Sequence, residues 1–489
     1  MKVADLKALA DLDAPFDGPA EEPFHKPAVT QADLPAPTDF LGEPRFSCAI
    51  SSQQTVLAIP HAIPIVHAGP GCSSKVCAFE TTGAGFQGDG YAGGNNVPSS
   101  NMTERDVVFG GERKLEDLVE ASLEVMKGDL FVIMAGCTSG IIGDDVKRVA
   151  RDFAEQGYPV VGAETSGFRG NTYFGHELVV EEIIDQFVCA GNPEPHVERG
   201  LVNVFASVPN QDPFWRRDLE ELKRLLEAIG LRVNILFGWS SAGVSEWKDI
   251  PNAQANIVVS PWVGLGAARK LKEKFGTPYL HVPLFPVGAR ATSEFLREVA
   301  DELDLPHELV EDVIAREERR YWDYCISLAN FLSEMFNHLP HEAYITADSH
   351  YGLGLADFLA NDLGITVRQL SVIDDPPTER DRHLVQQAAA RIPGGIANVL
   401  RFHADGYQAQ KEAREKIEAS DARAVILAST WEDQLAKESG SVLLHVSLPI
   451  NDDVIVNRGY FGYDGGLRLA EDLYAGIFRG ENISQLTQE

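Results

Sequence analysis

Short apolar segments of strand length alternate with helical patterns along nearly the whole chain. One clear unit has an apolar strand at 129–134, a helix at 142–156 and a second strand at 159–162. A connection that runs through a helix joins parallel strands of one sheet. The pattern therefore predicts an α/β protein with doubly wound, parallel, Rossmann-like sheets.

The alternation occurs three times, and 489 residues are too many for a single hydrophobic core. We predict an extended N-terminal arm at 1–45, rich in proline and acidic residues, followed by α/β domains at 46–200, 201–342 and 343–489. The strands predicted for the second and third domains are 202–208, 233–237, 256–259, 279–282, 343–346, 366–372, 424–427 and 443–446. The predicted helices are 212–229, 266–275, 355–363 and 465–478, with a helical region at 294–338 that breaks near Pro306.

The charge balance excludes one class of partner. The chain has 73 acidic and 42 basic residues, a formal net charge of −31, which would repel a phosphate backbone. No apolar run reaches the roughly 18–20 residues that span a bilayer, and the N-terminus lacks the apolar core of a signal peptide. We therefore expect a cytoplasmic protein that binds neither nucleic acid nor membrane.

Three cysteines lie beside residues that favour tight turns: Cys48, Cys72 and Cys137. Cys72 and Cys137 follow the apolar runs 62–66 and 130–134, so their thiols are expected at the carboxyl ends of parallel strands, where open sheets bind ligands. Soft thiolates from separate segments suit iron–sulfur chemistry. The sequence has no CxxC pair, so any cluster takes its ligands from distant segments, and another chain could supply some of them.

The other candidate ligands have simpler interpretations. Cys77, Cys189 and Cys325 are predicted to be buried thiols, and Cys325 falls within a helical pattern. The histidines are interpreted as surface or core residues and none is assigned to a metal: His61, His67, His350 and His403. Two loops rich in small and polar residues, at 95–104 and 164–171, are as consistent with plain connections as with functional loops.

Taken together, the motifs resemble the nitrogenase component 1 superfamily. The resemblance rests on Cys48, on the segment from His67 to Cys72, on the S-S-x-M-T-E segment that ends in V-F-G-G at Gly111, and on the segment from Cys137 to Asp145. It extends in order over about residues 45–480 and implies the three-domain fold of that superfamily, with paired α-type and β-type subunits and an α2β2 assembly.

The resemblance assigns functions to particular residues. It implies that Cys48, Cys72 and Cys137 hold half of an [8Fe-7S] P-cluster shared with the partner subunit. Ser166 is the nearest match to a serine that ligates the oxidised cluster, and Phe109 falls where an ATP-hydrolysing [4Fe-4S] reductase docks. The alternative for Phe109 is packing beneath the next helix. Gly69, Gly71 and Gly136 are expected to let backbone N–H groups approach the cluster sulfurs closely.

The same comparison indicates a β-type chain without catalytic residues of its own. Where an α-type chain carries the cysteine that holds the active-site cofactor, this sequence has Ser260, and His445 falls earlier than the cofactor histidine. Asn451, Asp452 and Asp453 occupy the expected place of that histidine. The chain would then relay electrons from the reductase to a cofactor on its partner.

The reaction is narrowed by departures from nitrogenase proper. A glycine-rich stretch at 80–96 replaces a basic, aromatic segment, and the loop containing Arg169 also differs. These features favour the methylthio-alkane reductases, which cleave C–S bonds of small methylthio compounds for sulfur salvage. The alternatives are a true nitrogenase β subunit and a scaffold for cofactor assembly, although a scaffold typically lacks part of the cysteine set. The tetrapyrrole-reducing branch would need a further cluster ligand.

Overall fold

A computed structural model describes residues 45–73, 97–191, 195–334, 339–403 and 405–480. The predicted N-terminal arm, apart from Arg45, lies outside the described residues, as do Cys77 and the glycine-rich stretch at 80–96. Arg45 is buried against the segment that follows the strand Ala424–Ala428 of the third sheet. It forms an ion pair with Glu432 and donates to Ser429 Oγ at 2.8 Å. The start of the described chain is thereby fixed to its C-terminal part.

The described residues form three separate parallel sheets, as the sequence predicts. Their strands are β1 (Ala62–His67), β2 (Leu130–Ala135), β3 (Val160–Ala163), β4 (Glu198–Phe205), β5 (Arg232–Asn234), β6 (Ala253–Val259), β7 (Tyr279–Val282), β8 (Glu342–Ala347), β9 (Thr366–Val372), β10 (Leu400–Phe402), β11 (Ala424–Ala428) and β12 (Val442–His445). The strand order is β1-β2-β3 in the first sheet, β5-β4-β6-β7 in the second and β10-β9-β8-β11-β12 in the third. The last two orders reverse direction within the sheet, which is the doubly wound arrangement. The exact boundaries at 200 and 342 stay a prediction.

Helices cover the faces of these sheets. They are α1 (Gln53–Leu57), α2 (Glu104–Phe109), α3 (Glu112–Val125), α4 (Cys137–Ile142), α5 (Val146–Glu155), α6 (Thr172–Ile183), α7 (Cys189–Gly191), α8 (Trp215–Ala228), α9 (Val244–Asp249), α10 (Leu265–Phe275), α11 (Gly288–Glu302), α12 (His307–Glu334), α13 (Ser349–Asn361), α14 (Glu379–Arg391), α15 (Ile396–Val399), α16 (Gly406–Glu418), α17 (Asp433–Ser439) and α18 (Gly462–Gly480). None of the described helices is long and apolar enough to cross a membrane.

The helix predicted at 142–156 begins at Val146 in the structure, as α5. A separate short helix, α4, precedes it and begins at Cys137. Helix α4 ends at Gly143, which adopts a left-handed φ of 82° that glycine tolerates without a Cβ penalty. Asp145 then caps α5 by accepting a hydrogen bond from Arg148 N. Cys137 is therefore the first residue of a short helix, directly after β2, and not part of a long loop.

Strands β1 and β2 pair in register from Ala62–Leu130 to His67–Ala135, so their carboxyl ends lie side by side. Both strands are fully buried because the first sheet is covered on its two faces. The segment after β1 leads to Cys72, the segment after β2 begins at Cys137, and β3 leads to the loop around Ser166. The first sheet thus brings three sequence motifs to one edge.

Candidate functional site

Cys48 reaches this edge from outside the sheet. It forms an isolated antiparallel bridge with Asn171, and Ala49 N donates to Gly170 O at 3.0 Å. Asn171 caps α6 by accepting a hydrogen bond from Phe174 N. The bridge explains how a residue far from β3 in sequence lies against the loop that follows it.

Cys48 and Cys137 converge on the backbone of Gly167. A methyl group added to Gly167 would lie 3.1 Å from Cys137 Sγ and 3.2 Å from Cys48 Sγ, and 3.0 Å from Cys48 Cβ. Gly167 N donates a hydrogen bond to Cys137 Sγ at 3.2 Å. A side chain at Gly167 would therefore require both cysteines to shift by a few tenths of an ångström, and the Gly167 N–H is a donor to the Cys137 sulfur.

Hydrogen bonds connect the loop of Cys72 to the segment that contains Cys48. Its N–H donates to Gly69 O at 3.2 Å, and its carbonyl accepts from Gln53 Nε2 at 3.1 Å. Gln53 Nε2 also donates to Ile50 O at 3.0 Å. The buried Gln53 amide thereby links the loop of Cys72 to the short helix that follows Cys48.

The Ser166 hydroxyl is buried and donates to Gly136 O at 2.9 Å. A methyl group at Gly140 would lie 2.1 Å from Ser166 Oγ, so the serine packs closely against α4. In this arrangement Ser166 fixes the start of the helix that carries Cys137. Its role as a cluster ligand stays a prediction.

The role of Gly69, Gly71 and Gly136 beside a cluster stays a prediction, and the structure adds Gly167 to the glycines of the site. Gly136 N donates to His67 O at 3.0 Å, and a methyl group at Gly136 would lie 2.4 Å from Ala68 Cβ. Gly136 is needed because β1 and β2 approach each other here. Gly69 and Gly71 have nothing within 4 Å of an added methyl group. Gly167, in the S-G-F-R-G loop, donates from its amide to the Cys137 sulfur. It was not among the predicted glycines, although it directly follows the predicted Ser166 in the sequence.

A buried His–Asp pair connects this edge with helix α2. His67 Nε2 lies 2.9 Å from Asp144 Oδ2, and His67 Nδ1 lies 3.0 Å from Ser100 Oγ. Gly111 N donates to both oxygens of Asp144 at 3.1 Å. Burial lowers the pKa of His67, while the hydrogen bond to Asp144 opposes that shift. The motif ending in Gly111 is thereby bound to the one that begins at Cys137.

Phe109 is the last residue of α2 and is 74% exposed, beside Val108 at 72%. Two adjacent exposed apolar side chains on a short helix form a contact surface rather than part of a core. The alternative in which Phe109 packs beneath the next helix is therefore wrong. Ile141 on α4 and Phe168 in the Gly167 loop are also exposed, at 75% and 63%.

The model for the family of nitrogenase component 1 type oxidoreductases matches residues 47–478, which includes every element described above except α18's last residues. The chain belongs to this family. The match covers all three sheets, so the fold and the order of the motifs agree with the expectation from the sequence.

Individual relatives carry several different functions by name. The chain is 25% identical to the nitrogenase molybdenum-iron protein alpha chain of Methanothermobacter thermautotrophicus, over 88% of this chain and 87% of that one. It is 26% identical to the iron-molybdenum cofactor biosynthesis protein NifE of a Nostoc species, over 78% and 73%. It is 28% identical to the molybdenum-iron protein alpha chain of Methanosarcina barkeri over 56% of this chain, and spans about half of that relative, 51%.

The solved structure of nitrogenase Cp1 at pH 6.5 superposes with a TM-score of 0.71 and 18% sequence identity, over 89% of this chain and 93% of that one. At this identity the likeness shows the component 1 fold.

The cysteines suit an iron–sulfur cluster that needs further ligands. Cys48, Cys72 and Cys137 are free thiols of intermediate burial, so they are neither sealed in a core nor fully in water. Among the described residues, no three His, Cys, Asp or Glu side chains are grouped tightly enough to enclose a single metal ion. Two sulfurs beside one glycine and a third on a neighbouring loop match a larger inorganic group held from one side.

Replacing Gly167 by alanine tests the contact between its backbone and the two sulfurs. The new methyl group would push against both sulfurs and displace the N–H that donates to Cys137, so we expect retention of bound iron to fall about 10- to 100-fold, as for other partners of metal ligands. Iron content and the electronic spectrum of the purified complex are the measurements. Gly191→Ala, with nothing within 4 Å of the added methyl, is the matched control. An unchanged spectrum in Gly167→Ala would remove Gly167 from the site.

Three further candidates lie away from this edge. Ser260, directly after β6, is fully buried, and its hydroxyl has no partner among the described residues. Cys325 is half-buried on α12, and burial raises its pKa. His445, at the end of β12, lies 3.7 Å from Asp452. None of the three lies on an element that carries Cys48, Cys72 or Cys137.

Proposed function

We propose that this chain is a β-type subunit of a component 1 complex and holds half of an [8Fe-7S] P-cluster-type cluster through Cys48, Cys72 and Cys137. The observation that carries the proposal is the convergence of the Cys48 and Cys137 sulfurs on the backbone of Gly167. An α-type partner would supply the remaining ligands, in an α2β2 assembly. Such a cluster, when bound, accepts and releases single electrons.

The chain's own residues would position and tune the ligands. The Gly167 N–H donates to the Cys137 sulfur, and Gln53 links the loops of Cys48 and Cys72 through its side-chain amide. Gly136 and Ser166 hold the start of α4 against β1. No residue of this chain is assigned to bond making or breaking, so its part is electron relay.

The residue that follows β6 supports a β-type subunit. An α-type chain needs a soft ligand for the active-site cofactor, and the matching position here is the buried hydroxyl of Ser260. Relatives named as nitrogenase alpha chains and as cofactor biosynthesis proteins both match this chain, so their names do not decide the type.

For the reaction we propose reductive cleavage of C–S bonds in small methylthio compounds, by an oxidoreductase of the methylthio-alkane reductase type. The departures from nitrogenase proper at 80–96 and around Arg169 support this choice over dinitrogen reduction. A scaffold for cofactor assembly is the second candidate, because several relatives are named as cofactor biosynthesis proteins. Retention of all three cysteines favours the reductase.

An assay of the anaerobically purified complex with its ATP-hydrolysing [4Fe-4S] reductase separates these functions. Dinitrogen and a methylthio compound are offered side by side, and ammonia, hydrocarbon and thiol are measured. We expect hydrocarbon and thiol without ammonia. Ammonia would identify a nitrogenase, and transfer of a cofactor to another protein without turnover would identify a scaffold.

Phe109 is proposed as an anchor for the reductase. Phe109→Ala removes a large exposed aromatic side chain from α2, and we expect the affinity for the reductase to fall about 30-fold, the size of a loss of roughly 2 kcal/mol at a hot spot. Binding kinetics with the purified reductase measure this, while the cluster spectrum stays unchanged. Ile326→Ala, which removes an equally exposed apolar side chain from α12, is the control. Equal affinities for the two variants would exclude the anchor.

A further inference from the structure

Three buried aspartates from different segments interact with one another. Asp212 follows β4, Asp348 follows β8 and Asp374 follows β9, so they come from the carboxyl ends of strands in two different sheets. Their exposed fractions are 1%, 2% and 2%. Burial of three carboxyl groups is costly unless each is neutralised or fully hydrogen-bonded.

Each aspartate has one carboxylate oxygen that accepts hydrogen bonds from donors of the chain. Asp212 Oδ2 accepts from Val208 N at 2.6 Å, and Asp348 Oδ1 accepts from Tyr351 N at 3.0 Å. Asp374 Oδ2 accepts from Ser349 Oγ at 2.6 Å and from the Trp262 indole N–H at 2.7 Å. These donors orient the carboxyl groups but carry no positive charge.

The second carboxyl oxygens of Asp212 and Asp374 indicate that this site can hold a proton. Asp212 Oδ1 and Asp374 Oδ1 are fully buried, and neither has a hydrogen-bond partner among the described residues. An ionised oxygen in that position would lack any compensating donor, which is unfavourable in a low-dielectric interior. A protonated carboxyl is neutral and supplies its own O–H donor.

The groups facing the site are themselves acidic or phenolic. The carboxyls that act on Asp212 are those of Asp348, Asp218 and Asp374. Tyr173 on α6 faces Asp348, Asp212 and Asp374, and Tyr351 on α13 faces Asp218, Asp212 and Asp348. Arg217 is a positively charged neighbour, and its charge opposes the rise in the pKa of Asp218.

Burial and mutual repulsion move the titration of these groups toward neutral pH. Burial, with the charge of Asp374 as the next cause, raises the pKa of Asp348 to about 7. Burial also raises the pKa of Asp212 and of Asp374. His350, next to Ser349 on α13, is also buried, and burial lowers its pKa to about 3, so it adds no positive charge at neutral pH.

Two connections join the aspartates to the segment of Cys48. Asn171, which forms the backbone bridge with Cys48, donates from Nδ2 to Asp374 O at 2.8 Å. On the other side, Gln211, the neighbour of Asp212, donates from Nε2 to Gln54 Oε1 at 2.8 Å, and Gln54 lies on α1 just after Cys48. The segment that carries Cys48 is therefore hydrogen-bonded to the segments that carry Asp212 and Asp374.

We propose that Asp212, Asp348 and Asp374 form a buried proton-binding site that takes up one proton when an electron reaches the cysteine site. The proposal rests on the proposed function only for the electron, which the ATP-dependent reductase delivers. The proton comes from water and converts one carboxylate to a carboxylic acid, with no other bond made or broken. The added negative charge is thereby compensated within the same chain, which favours reduction.

Infrared difference spectra of the complex, recorded between the oxidised and chemically reduced forms, test this site directly. The proposal predicts that a protonated-carboxyl C=O band appears on reduction, and that Asp374→Asn and Asp348→Asn each remove or shift it. Asparagine keeps one acceptor oxygen and places an NH2 group at the other position, so these variants imitate the protonated acid and are expected to fold. Asp301→Asn, at an aspartate that is 69% exposed, should leave the band unchanged.

The midpoint potential of the complex gives a second measurement. One proton per electron shifts the potential by about 59 mV for each tenfold change in proton concentration. We expect the unmodified complex to approach this slope around neutral pH, and the slope to flatten in Asp348→Asn. A complex that binds iron normally, but shows no carboxyl band on reduction and no pH dependence of its midpoint potential, would overturn the proton-binding site and leave the proposed function intact. A complex without iron would instead overturn the proposed function. In that complex, a carboxyl band that grows as the pH falls through neutral and is lost in the Asn variants would still support the proton-binding site, and its absence would overturn the site as well.

Discussion

Replacing Cys72 or Cys137 by alanine is expected to abolish turnover and to remove most of the iron from the complex. Each cysteine lies in a segment that follows a buried strand and supplies one sulfur, so each replacement removes one ligand of the proposed cluster. Loss of a ligand should exceed the roughly 10- to 100-fold penalty for losing a partner of a ligand. Iron per complex and the rate of electron transfer from the reductase are the measurements.

The matched control is Cys325→Ala. That thiol is also half-buried, but it lies on α12, away from the first sheet. It should retain iron and activity. If Cys72→Ala and Cys137→Ala both keep the iron content of the unmodified complex, the assignment of these cysteines as ligands is wrong.

Gly136→Ala is expected to destabilise the protein itself. Its methyl group would lie 2.4 Å from Ala68 Cβ, a short and rigid side chain that cannot rotate away. Strands β1 and β2 would have to separate at their carboxyl ends, which weakens the hydrogen bond from Gly136 N to His67 O. Overpacking of this kind costs about 1–3 kcal/mol in the free energy of unfolding. Denaturant unfolding of the complex measures it.

Gly69→Ala is the comparison variant, because the same methyl group there has nothing within 4 Å. Both glycines flank predicted cluster cysteines, so the pair separates a packing requirement from a general need for glycine near the site. Equal stability of the two variants would show that the β1–β2 contact relaxes at no cost.

The first sheet could be predicted because its strands are buried on both faces. Strands β1 and β2 lie within one residue of the apolar runs 62–66 and 130–134, since continuous apolar runs bounded by turn residues have few other interpretations. Strand β10, with three residues, was not predicted, because so short a segment carries no period and is specified by its pairing with β9.

The long-range contacts of the site could not be predicted from local patterns. The bridge between Cys48 and Asn171 joins residues more than a hundred positions apart, and nothing in either segment encodes the pairing alone. The role of Gly167 follows from that bridge. The aspartates were missed for the same reason, since each looks like an ordinary residue at the end of a strand until two sheets bring them together.

The amount of iron bound by this chain alone and together with its partner tests the central claim most directly. Both preparations are made anaerobically and compared by iron analysis and electron paramagnetic resonance. A shared cluster predicts that the complex contains close to eight iron atoms per heterodimer in this cluster, as the [8Fe-7S] composition requires, and that the isolated chain does not retain it. An isolated chain that holds a complete cluster with the same spectrum would contradict the shared site.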